Sequence, residues 1–210
     1  MTTDAPATYG VVLAGGLSRR MGGGDKPLIK IDGATILERV LATLAGQCVG
    51  LVVNANGDPT RFSAYGRPVV PDNVPGFVGP LAGILAGLDW VARHAPQIEW
   101  VVSSPGDCPF LPADLVARLH AARQTQQRAM ACAQSGVFRH PVAGLWPVAC
   151  RHALRAALTD EGLRKIEVFT LRHGVALAQW PTEPIDPFFN VNTPEDAVHA
   201  QTLAQRGTAA

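Results

Sequence analysis

The chain has 210 residues, of which 47% are hydrophobic and 17% are charged, and its formal net charge is +1. This length and composition predict a single globular domain, residues 1–210, with a full core, and exclude an intrinsically disordered protein. The balanced charge excludes binding of nucleic acid through bulk positive charge, so any basic character has to be local.

The first half of the chain alternates short apolar runs, typical of buried strands, with runs of helical spacing. Strands are predicted, in chain order, at YGVVLA, VGLVVNAN, RPVVPD and IEWVVSSPGDCP. Helices are predicted at TILERVLATLAGQ, GPLAGILAGLDWVARH and PADLVARLHAARQ, the last with Pro112 in its first turn. This order predicts an α/β fold, with a doubly wound and mostly parallel sheet flanked by helices.

The pattern becomes less regular after Ala129. Strands are predicted at AMACAQ and VAGLW, and helices at CRHALRAALTD and LRKIEVFTLRHG. The segment FFNVNTPEDAVHAQTLAQR is predicted to form a strand, a turn and a final helix, with Thr193 as the N-cap. Asn190 and Asn192 would then share one face of that strand. The histidines expected at the surface are His94, His120, His152, His173 and His199.

The cysteines and the N-terminal residues indicate a compartment. The four cysteines are widely spaced and lack the spacing of zinc ligands, which favours free thiols in a reducing cytoplasm. The first eight residues, MTTDAPAT, lack the features of a signal peptide, and no apolar run approaches the roughly 20 residues that span a bilayer. We therefore expect a cytoplasmic protein that contacts neither a membrane nor nucleic acid.

Polar or glycine-rich segments follow the predicted strands of the first half. They comprise residues 15–26, residues 54–56, Asp72 and Asp107. Because ligands of a doubly wound sheet bind beyond the C-terminal ends of its strands, these segments are expected to converge in space.

The first of these segments, within VVLAGGLSRRMGGGDKPL, combines flexible backbone with the positive charges of Arg19, Arg20 and Lys26. Glycine lets backbone N–H groups approach a ligand closely, and arginine and lysine attract phosphate. The spacing fits neither the dinucleotide fingerprint G-x-G-x-x-G nor the phosphate loop G-x-x-x-x-G-K-[ST]. The loop therefore predicts a phosphate-rich ligand, with a plain tight turn as the alternative.

The segment LAGGLSRRMGGGDK resembles the signature loop of the molybdenum cofactor guanylyltransferases, L-A-G-G-x-S-x-R-M-G-x-x-D-K. Further segments that recur in that family follow in the same order, namely VVNAN, PD, GPLAG, PGDCPFLP, HP and NVNTPED. The resemblance covers nearly the whole chain and is thinnest over residues 124–142. It implies a Rossmann-like nucleotidyltransferase fold, with a nucleotide-binding half at about 8–125 and a pterin-side half at about 126–206.

The resemblance implies transfer of GMP from GTP to molybdopterin or molybdenum-molybdopterin, which yields the guanine dinucleotide cofactor and pyrophosphate. Both reactants are anionic, so the reaction needs positioning and charge neutralisation rather than a strong base. Mg²⁺ is the implied cofactor, and other cofactor-biosynthesis proteins and molybdoenzyme chaperones are further implied partners. The alternatives are a cytidylyltransferase of the same pathway, a sugar-1-phosphate nucleotidyltransferase and a nucleotide-binding regulatory subunit without activity.

The implied site residues fall into three groups. Arg20, Lys26 and Asp107 are the implied catalytic residues, with Asp107 also the ligand of Mg²⁺. The nucleotide would be bound, in part through loop amides, by Leu13, Ala14, Gly15, Gly16, Lys26, Asn54, Asp72 and Asp107. The pterin would be bound by Asn190, Asn192 and His140.

Several of these residues have a purely structural alternative. Gly15 and Gly16 could serve only a turn, and Asp72 could be a turn residue after a strand. Asp107 could cap the turn before the third predicted helix, and His140 could stabilise a turn. The neighbouring loop charges have alternatives of the same kind, a solvated surface position for Arg19 and orientation of Lys26 for Asp25.

Overall fold

The computed structural model of the protein describes residues 5–15, 26–76 and 79–207. Its strands are β1 (Thr8–Leu13), β2 (Lys30–Ile31), β3 (Ala34–Thr35), β4 (Gly50–Asn54), β5 (Val69–Val70), β6 (Trp100–Pro105), β7 (Met130–Ser135), β8 (Phe138–Pro147) and β9 (Val175–Trp180). Its α-helices are α1 (Ile36–Ala45), α2 (Pro80–His94), α3 (Leu115–Thr125), α4 (Arg151–Thr159), α5 (Ile166–His173) and α6 (Pro194–Gly207). Short 3-10 helices span Lys26–Leu28, Pro59–Tyr65 and Val148–Cys150.

Seven of the described strands form one sheet in the order β5-β4-β1-β6-β8-β7-β9, and β2 and β3 form a separate hairpin. The strands β5, β4, β1 and β6 are mutually parallel, β8 is antiparallel to both its neighbours, and β7 and β9 are parallel. The predicted fold class, a doubly wound and mostly parallel sheet flanked by helices, is confirmed. The strand order reverses between β1 and β6, which is where sheets of this kind bind their ligands.

Helices cover both faces of the sheet. Because side chains alternate along a strand, Val11 enters the core beneath α2, α4 and α5, whereas Val12 enters the core beneath α1, α3 and α6. A capping box at the start of α1, in which Thr35 and Glu38 each satisfy the other's backbone N–H, explains why that helix begins there. Within the described ranges, no helix has both the length and the apolar character needed to cross a membrane.

In the second half of the chain, one predicted strand is absent and one observed strand was not predicted. The segment FFNVN forms no strand, because the backbone N–H of Val191 donates to the carbonyl of Asp107 (3.0 Å) rather than to a neighbouring strand. Asn190 and Asn192 therefore do not share a strand face. Conversely, β9 has no counterpart among the predicted elements, because its buried positions include the small residues Ala176 and Ala178 and give a weak apolar pattern.

Two further expectations fail in α3. The helix begins at Leu115 rather than at Pro112, whose carbonyl accepts a hydrogen bond from the side chain of Gln47 (3.1 Å). His120 is buried rather than at the surface, with its Nε2 2.8 Å from Oγ1 of Thr8 and its ring packed edge-on against Trp100. The other four histidines that were expected at the surface are exposed.

Candidate active site

The candidate site lies where the parallel strands β4, β1 and β6 end. The backbone N–H of Ala14 donates to the carbonyl of Asn54 (2.9 Å), and the N–H of Gly106 donates to the carbonyl of Leu13 (2.9 Å). The segments after the three strands are thus bonded to one another at one edge of the sheet. In this geometry the Ala14 N–H is engaged by the protein, so it is not one of the loop amides that can wrap a nucleotide.

Gly106 is required for the approach of β6 to β1 at this edge. A Cβ atom at position 106 would lie 2.9 Å from the carbonyl oxygen of Leu13 and 3.3 Å from the Cα of Ala14, both of them backbone atoms. A side chain there would push the segment after β6 away from β1. The glycine therefore sets the position of Asp107, the next residue.

Asn54, Asn56 and Asp72 form a hydrogen-bonded cluster across the ends of β4 and β5. The Asn54 amide donates to one carboxylate oxygen of Asp72 (3.0 Å), and the Asn56 amide donates to the other (2.9 Å). The backbone N–H of Asp72 in turn donates to the Asn56 side chain (2.8 Å). Both carboxylate oxygens thus have an amide donor, which fits the turn alternative for Asp72 and still leaves each oxygen a lone pair for a ligand.

The first turns of α2 press against this cluster. A Cβ atom at Gly83 would lie 2.2 Å from the side-chain oxygen of Asn54, a distance that real contacts do not reach. Asn54 is itself only 5% exposed, so the helix and the amide are tightly packed. The small residues of GPLAG therefore bring α2 directly onto the polar end of β4.

Lys26 connects the first half of the chain to the segment that precedes α6. Its ammonium group donates to the side-chain oxygen of Asn192 (2.8 Å), 166 residues away in sequence. Its charge also acts on Asp107 and lowers the pKa of that carboxyl group. Three residues that lie far apart in sequence, Lys26, Asp107 and Asn192, therefore meet at the edge of the sheet.

Desolvation disfavours the ionised form of the Asp107 carboxyl group. Burial raises its pKa, and this effect outweighs the lowering by Lys26 and by the backbone N–H of Asp107. A nearby cation stabilises the ionised form of such a half-buried, desolvated carboxylate. In the described part of the chain, no group of three or more His, Cys, Asp or Glu side chains is placed to hold a metal ion. A single carboxylate nevertheless fits Mg²⁺, which takes one or two carboxylates and completes its ligands with phosphates and water.

The segment before α6 is held against the Asp107 turn by side chains as well as by backbone. The thiol of Cys108 donates to the side-chain oxygen of Asn190 (2.6 Å), and burial keeps its pKa well above the usual value, so it stays a protonated donor. Asp196 accepts from the backbone N–H groups of Asn192 and Thr193 (2.8 Å each). These bonds fix the NVN segment beside Asp107.

The contacts also fix the direction of the two amides. An ammonium group can only donate, so the oxygen of Asn192 must face Lys26 and its NH₂ group must point elsewhere. The oxygen of Asn190 likewise faces the Cys108 thiol. Both side chains therefore keep NH₂ donors for another partner, and such donors suit a phosphate group.

His140 lies in β8, on the side of the site formed by the second half of the chain. Its ring stacks on Phe188 with centroids 4.8 Å apart and planes inclined by 24°. Its Nε2 lies 2.7 Å from Oγ of Ser135, the last residue of β7. Phe188 is linked to the Asp107 turn, because the Cys108 sulfur lies 3.7 Å from its carbonyl oxygen. The ring is part of a strand and not of a turn, contrary to its structural alternative.

The structure thus brings together most of the predicted site residues. Gly16 and Arg20, together with the neighbouring Arg19 and Asp25, lie outside the described residues. Gly15 lies at the edge of the site, where a Cβ would be 3.3 Å from the Cα of Ala55, so close approach alone explains a glycine there.

Sequence reasoning missed the contributions of Cys108, Ser135 and Asp186. It placed Asn56 only within the polar segment 54–56, and Asp196 only in the first turn of the final helix, behind the Thr193 cap. Cys108 and Ser135 had no local signal, because their partners lie 82 and 51 residues away in sequence.

Comparison with known proteins places the chain among nucleotidyltransferases. The family model of the MobA-like NTP transferase domain matches residues 10–174. A molybdenum cofactor guanylyltransferase from Nitrobacter hamburgensis is 57% identical over 204 residues, which cover 97% of this chain and 98% of that protein. A molybdenum cofactor guanylyltransferase from Bradyrhizobium sp. is 59% identical over 203 residues, which cover 97% of this chain and 96% of that protein.

Among solved structures, the molybdopterin-guanine dinucleotide biosynthesis protein A from Archaeoglobus fulgidus has a TM-score of 0.73 and 23% identity to this chain. The match covers 94% of this chain and 99% of that chain. At this identity the likeness is one of fold.

Proposed function

Since the chain belongs to the molybdenum cofactor guanylyltransferase family, we propose that it transfers GMP from GTP to molybdopterin or molybdenum-molybdopterin and releases pyrophosphate. The observation that carries this proposal is the meeting of Lys26, Asp107 and Asn192 at the edge of β1 and β6. These residues offer a cation, a metal-binding carboxylate and an amide donor where a triphosphate and an acceptor phosphate must lie side by side.

The reaction joins two anions, so the protein has to position them and offset their charge. The attacking phosphate oxygen of the pterin is already ionised at neutral pH and needs no general base. Lys26 holds the phosphates of GTP and stabilises the leaving pyrophosphate. The predicted partner of Lys26 in this role is Arg20. The amides of Asn190 and Asn192 donate to the pterin phosphate without repelling it, as carboxylates in their place would.

Asp107 is the proposed holder of Mg²⁺, together with phosphate oxygens. When bound there, the ion supplies Lewis-acid stabilisation of the charge that develops as the α-phosphorus is attacked. Its presence also accounts for a carboxylate beside phosphates, which would otherwise repel them. The lone, desolvated carboxylate of Asp107 fits this donor set.

We place the base and ribose at the cluster of Asn54, Asn56 and Asp72. Both oxygens of Asp72 are oriented by amide donors and keep lone pairs that can accept from the N–H groups of guanine. Adenine offers no donors in the same place, and a buried polar group left without a partner costs roughly 1–3 kcal/mol. GTP is therefore the preferred nucleotide over ATP.

The four free thiols are consistent with the proposed reducing cytoplasm.

Transfer of labelled nucleotide tests the proposed function. The protein is incubated with molybdopterin, Mg²⁺ and GTP, CTP or ATP that carries the label on the α-phosphate. We expect label in the pterin product with GTP and little with the other two. Equal transfer from CTP would favour the cytidylyltransferase alternative, and binding of GTP without transfer would favour the regulatory subunit.

A further inference from the structure

Ser135, His140 and Asp186 form a chain of hydrogen bonds on the pterin side of the site. Oγ of Ser135 lies 2.7 Å from Nε2 of His140 and donates to one carboxylate oxygen of Asp186 (3.0 Å). The other oxygen of Asp186 accepts from the backbone N–H of Phe188 (2.9 Å), the residue on which the His140 ring is stacked. Ser135 is fully buried, whereas His140 and Asp186 are half-buried.

The direction of this chain follows from the chemistry of its end. An ionised carboxylate only accepts hydrogen bonds, so the single hydroxyl proton of Ser135 must point to Asp186. The serine oxygen can then only accept from His140. His140 must therefore carry its proton on Nε2, which in the neutral ring leaves Nδ1 as an acceptor.

Nδ1 is the part of His140 that the described protein does not use. No described residue forms a hydrogen bond with it, and it is not among the described side-chain atoms that are buried without a partner. It therefore keeps contact with solvent. Phe188 covers one face of the ring, so a ligand reaches His140 at its edge or at its other face.

We propose that Asp186 and Ser135 are positioning residues that hold His140 as its Nε2–H tautomer, so that Nδ1 accepts a hydrogen bond from an N–H group of the pterin. This inference rests on the proposed function for the identity of the ligand, because a pterin ring carries such N–H donors. The contacts that link Phe188 to Cys108 place the His140 ring next to the Asp107 turn, where the acceptor has to bind.

Replacement of Asp186 with asparagine should reverse the direction of the hydrogen bonds that link Asp186, Ser135 and His140. The amide oxygen would keep the bond from the Phe188 N–H, since an NH₂ group there would face another donor. The NH₂ group would then donate to Ser135, and the serine would donate to His140. His140 would have to move its proton to Nδ1. This variant alters the tautomer and keeps the shape of the side chain.

Nitrogen-15 NMR of histidine-labelled protein without substrate tests the chain itself. The His140 signals are assigned by their loss in His140→Gln. We expect a protonated Nε2 in the parent protein at about pH 7.5, a protonated Nδ1 in Asp186→Asn, and a mixture of tautomers in Ser135→Ala. A protonated Nδ1 in the parent protein, or no change in Asp186→Asn, would overturn the proposal.

Steady-state kinetics of GMP transfer test the link to the pterin. We expect Asp186→Asn to raise the KM for molybdopterin about three- to tenfold, the range for one hydrogen bond, with the KM for GTP within about twofold. His94→Gln is the matched control, because His94 is exposed at the far end of α2, and it should change neither constant. Equal changes in both constants would indicate a general loss of structure and contradict the proposal. If the parent protein transfers no GMP, the proposed function and the pterin as ligand both fail. The NMR result still decides whether the hydrogen bonds of Ser135, His140 and Asp186 run in the proposed direction.

Discussion

Lys26 joins two parts of the candidate site, because its charge acts on Asp107 and its ammonium group donates to Asn192. We predict that Lys26→Ala lowers the rate of GMP transfer by about tenfold to a hundredfold or more, as expected from the loss of a charge-assisted bond to phosphate of roughly 1.5–3 kcal/mol. Lys30→Ala is the control, because Lys30 is exposed in β2 and its replacement removes an equal charge. A Lys26→Ala protein that melts normally and keeps full turnover would remove Lys26 from the site.

A variant of Asn192 distinguishes the proposed pterin half of the site from the nucleotide half. In Asn192→Asp an oxygen still accepts from Lys26, but the NH₂ donor becomes a second negatively charged oxygen. We predict weaker binding of the pterin phosphate, seen as a raised KM for molybdopterin, while the KM for GTP stays nearly unchanged. An effect on GTP alone would instead assign Asn192 to the nucleotide half of the site.

The sequence reveals individual site residues only where a local pattern places them. Asn54, Asp72 and Asp107 each lie at the C-terminal end of a predicted strand, so their convergence follows from the rule for parallel sheets. The orientation of the side chains does not follow. That Cys108 bonds to Asn190, or that Asp186 directs Ser135, depends on contacts between distant segments that no spacing encodes.

At the scale of elements, the packing of α2 against β4 positions Asn54, a residue of the proposed base site. In Gly83→Ala the new methyl group would meet the Asn54 side chain at 2.2 Å and force the helix or the amide to shift. We predict about tenfold weaker binding of GTP by calorimetry, although alanine is intrinsically the better helix residue by about 1 kcal/mol. Gly46→Ala is the control, because a Cβ there meets only the carbonyl of Thr43 at 4.0 Å. An unchanged affinity of Gly83→Ala for GTP would show that α2 is not part of the nucleotide site.

The elements with a strong periodic pattern are also those that the sequence predicts correctly. β1, β6, α1 and α2 carry continuous apolar runs or regular helical spacing, and the structure confirms them. The FFNVN segment alternates in the same way and yet forms no strand. Its backbone and side chains are bound to the Asp107 turn, a tertiary contact that overrides the local preference.

At the scale of the whole molecule, buried His120 couples stability to pH. Burial, with a smaller contribution from Arg123, lowers the pKa of His120 from its usual 6.5 to about 4. The unfolded chain therefore binds a proton more readily than the native protein does between these values. The contribution of His120 to the free energy of unfolding is therefore present above about pH 6.5 and is lost as the pH falls toward about 4.

Urea unfolding at about pH 7 and about pH 5 measures this effect. We predict that His120 accounts for a loss of about 2 kcal/mol in the free energy of unfolding between the two conditions. In His120→Gln, which keeps an N–H donor for Thr8, the loss on acidification should be smaller by that amount. Parallel losses in the two proteins would show that His120 titrates normally in the native state.

The topology of the molecule was open to prediction in its first half and not in its second. Alternating strands and helices imply parallel neighbours, as observed for β5, β4, β1 and β6. Beyond β6, the antiparallel insertion of β8 between β6 and β7 depends on the pairing of distant strands, which the local pattern does not specify. The proposed division into a nucleotide half and a pterin half stays a prediction.

The central claim, that GMP transfer takes place at the Asp107 edge of the sheet, is tested most directly by the rate of transfer in Asp107→Asn over a titration of Mg²⁺. Asparagine has the shape of aspartate and can cap a turn, but a neutral amide is a poor ligand for a hard cation. We predict a folded protein whose GMP transfer is reduced by about a hundredfold or more at every Mg²⁺ concentration, since the lost stabilisation is worth several kcal/mol. Near-normal, Mg²⁺-dependent transfer by Asp107→Asn would contradict the account and leave Asp107 as a cap.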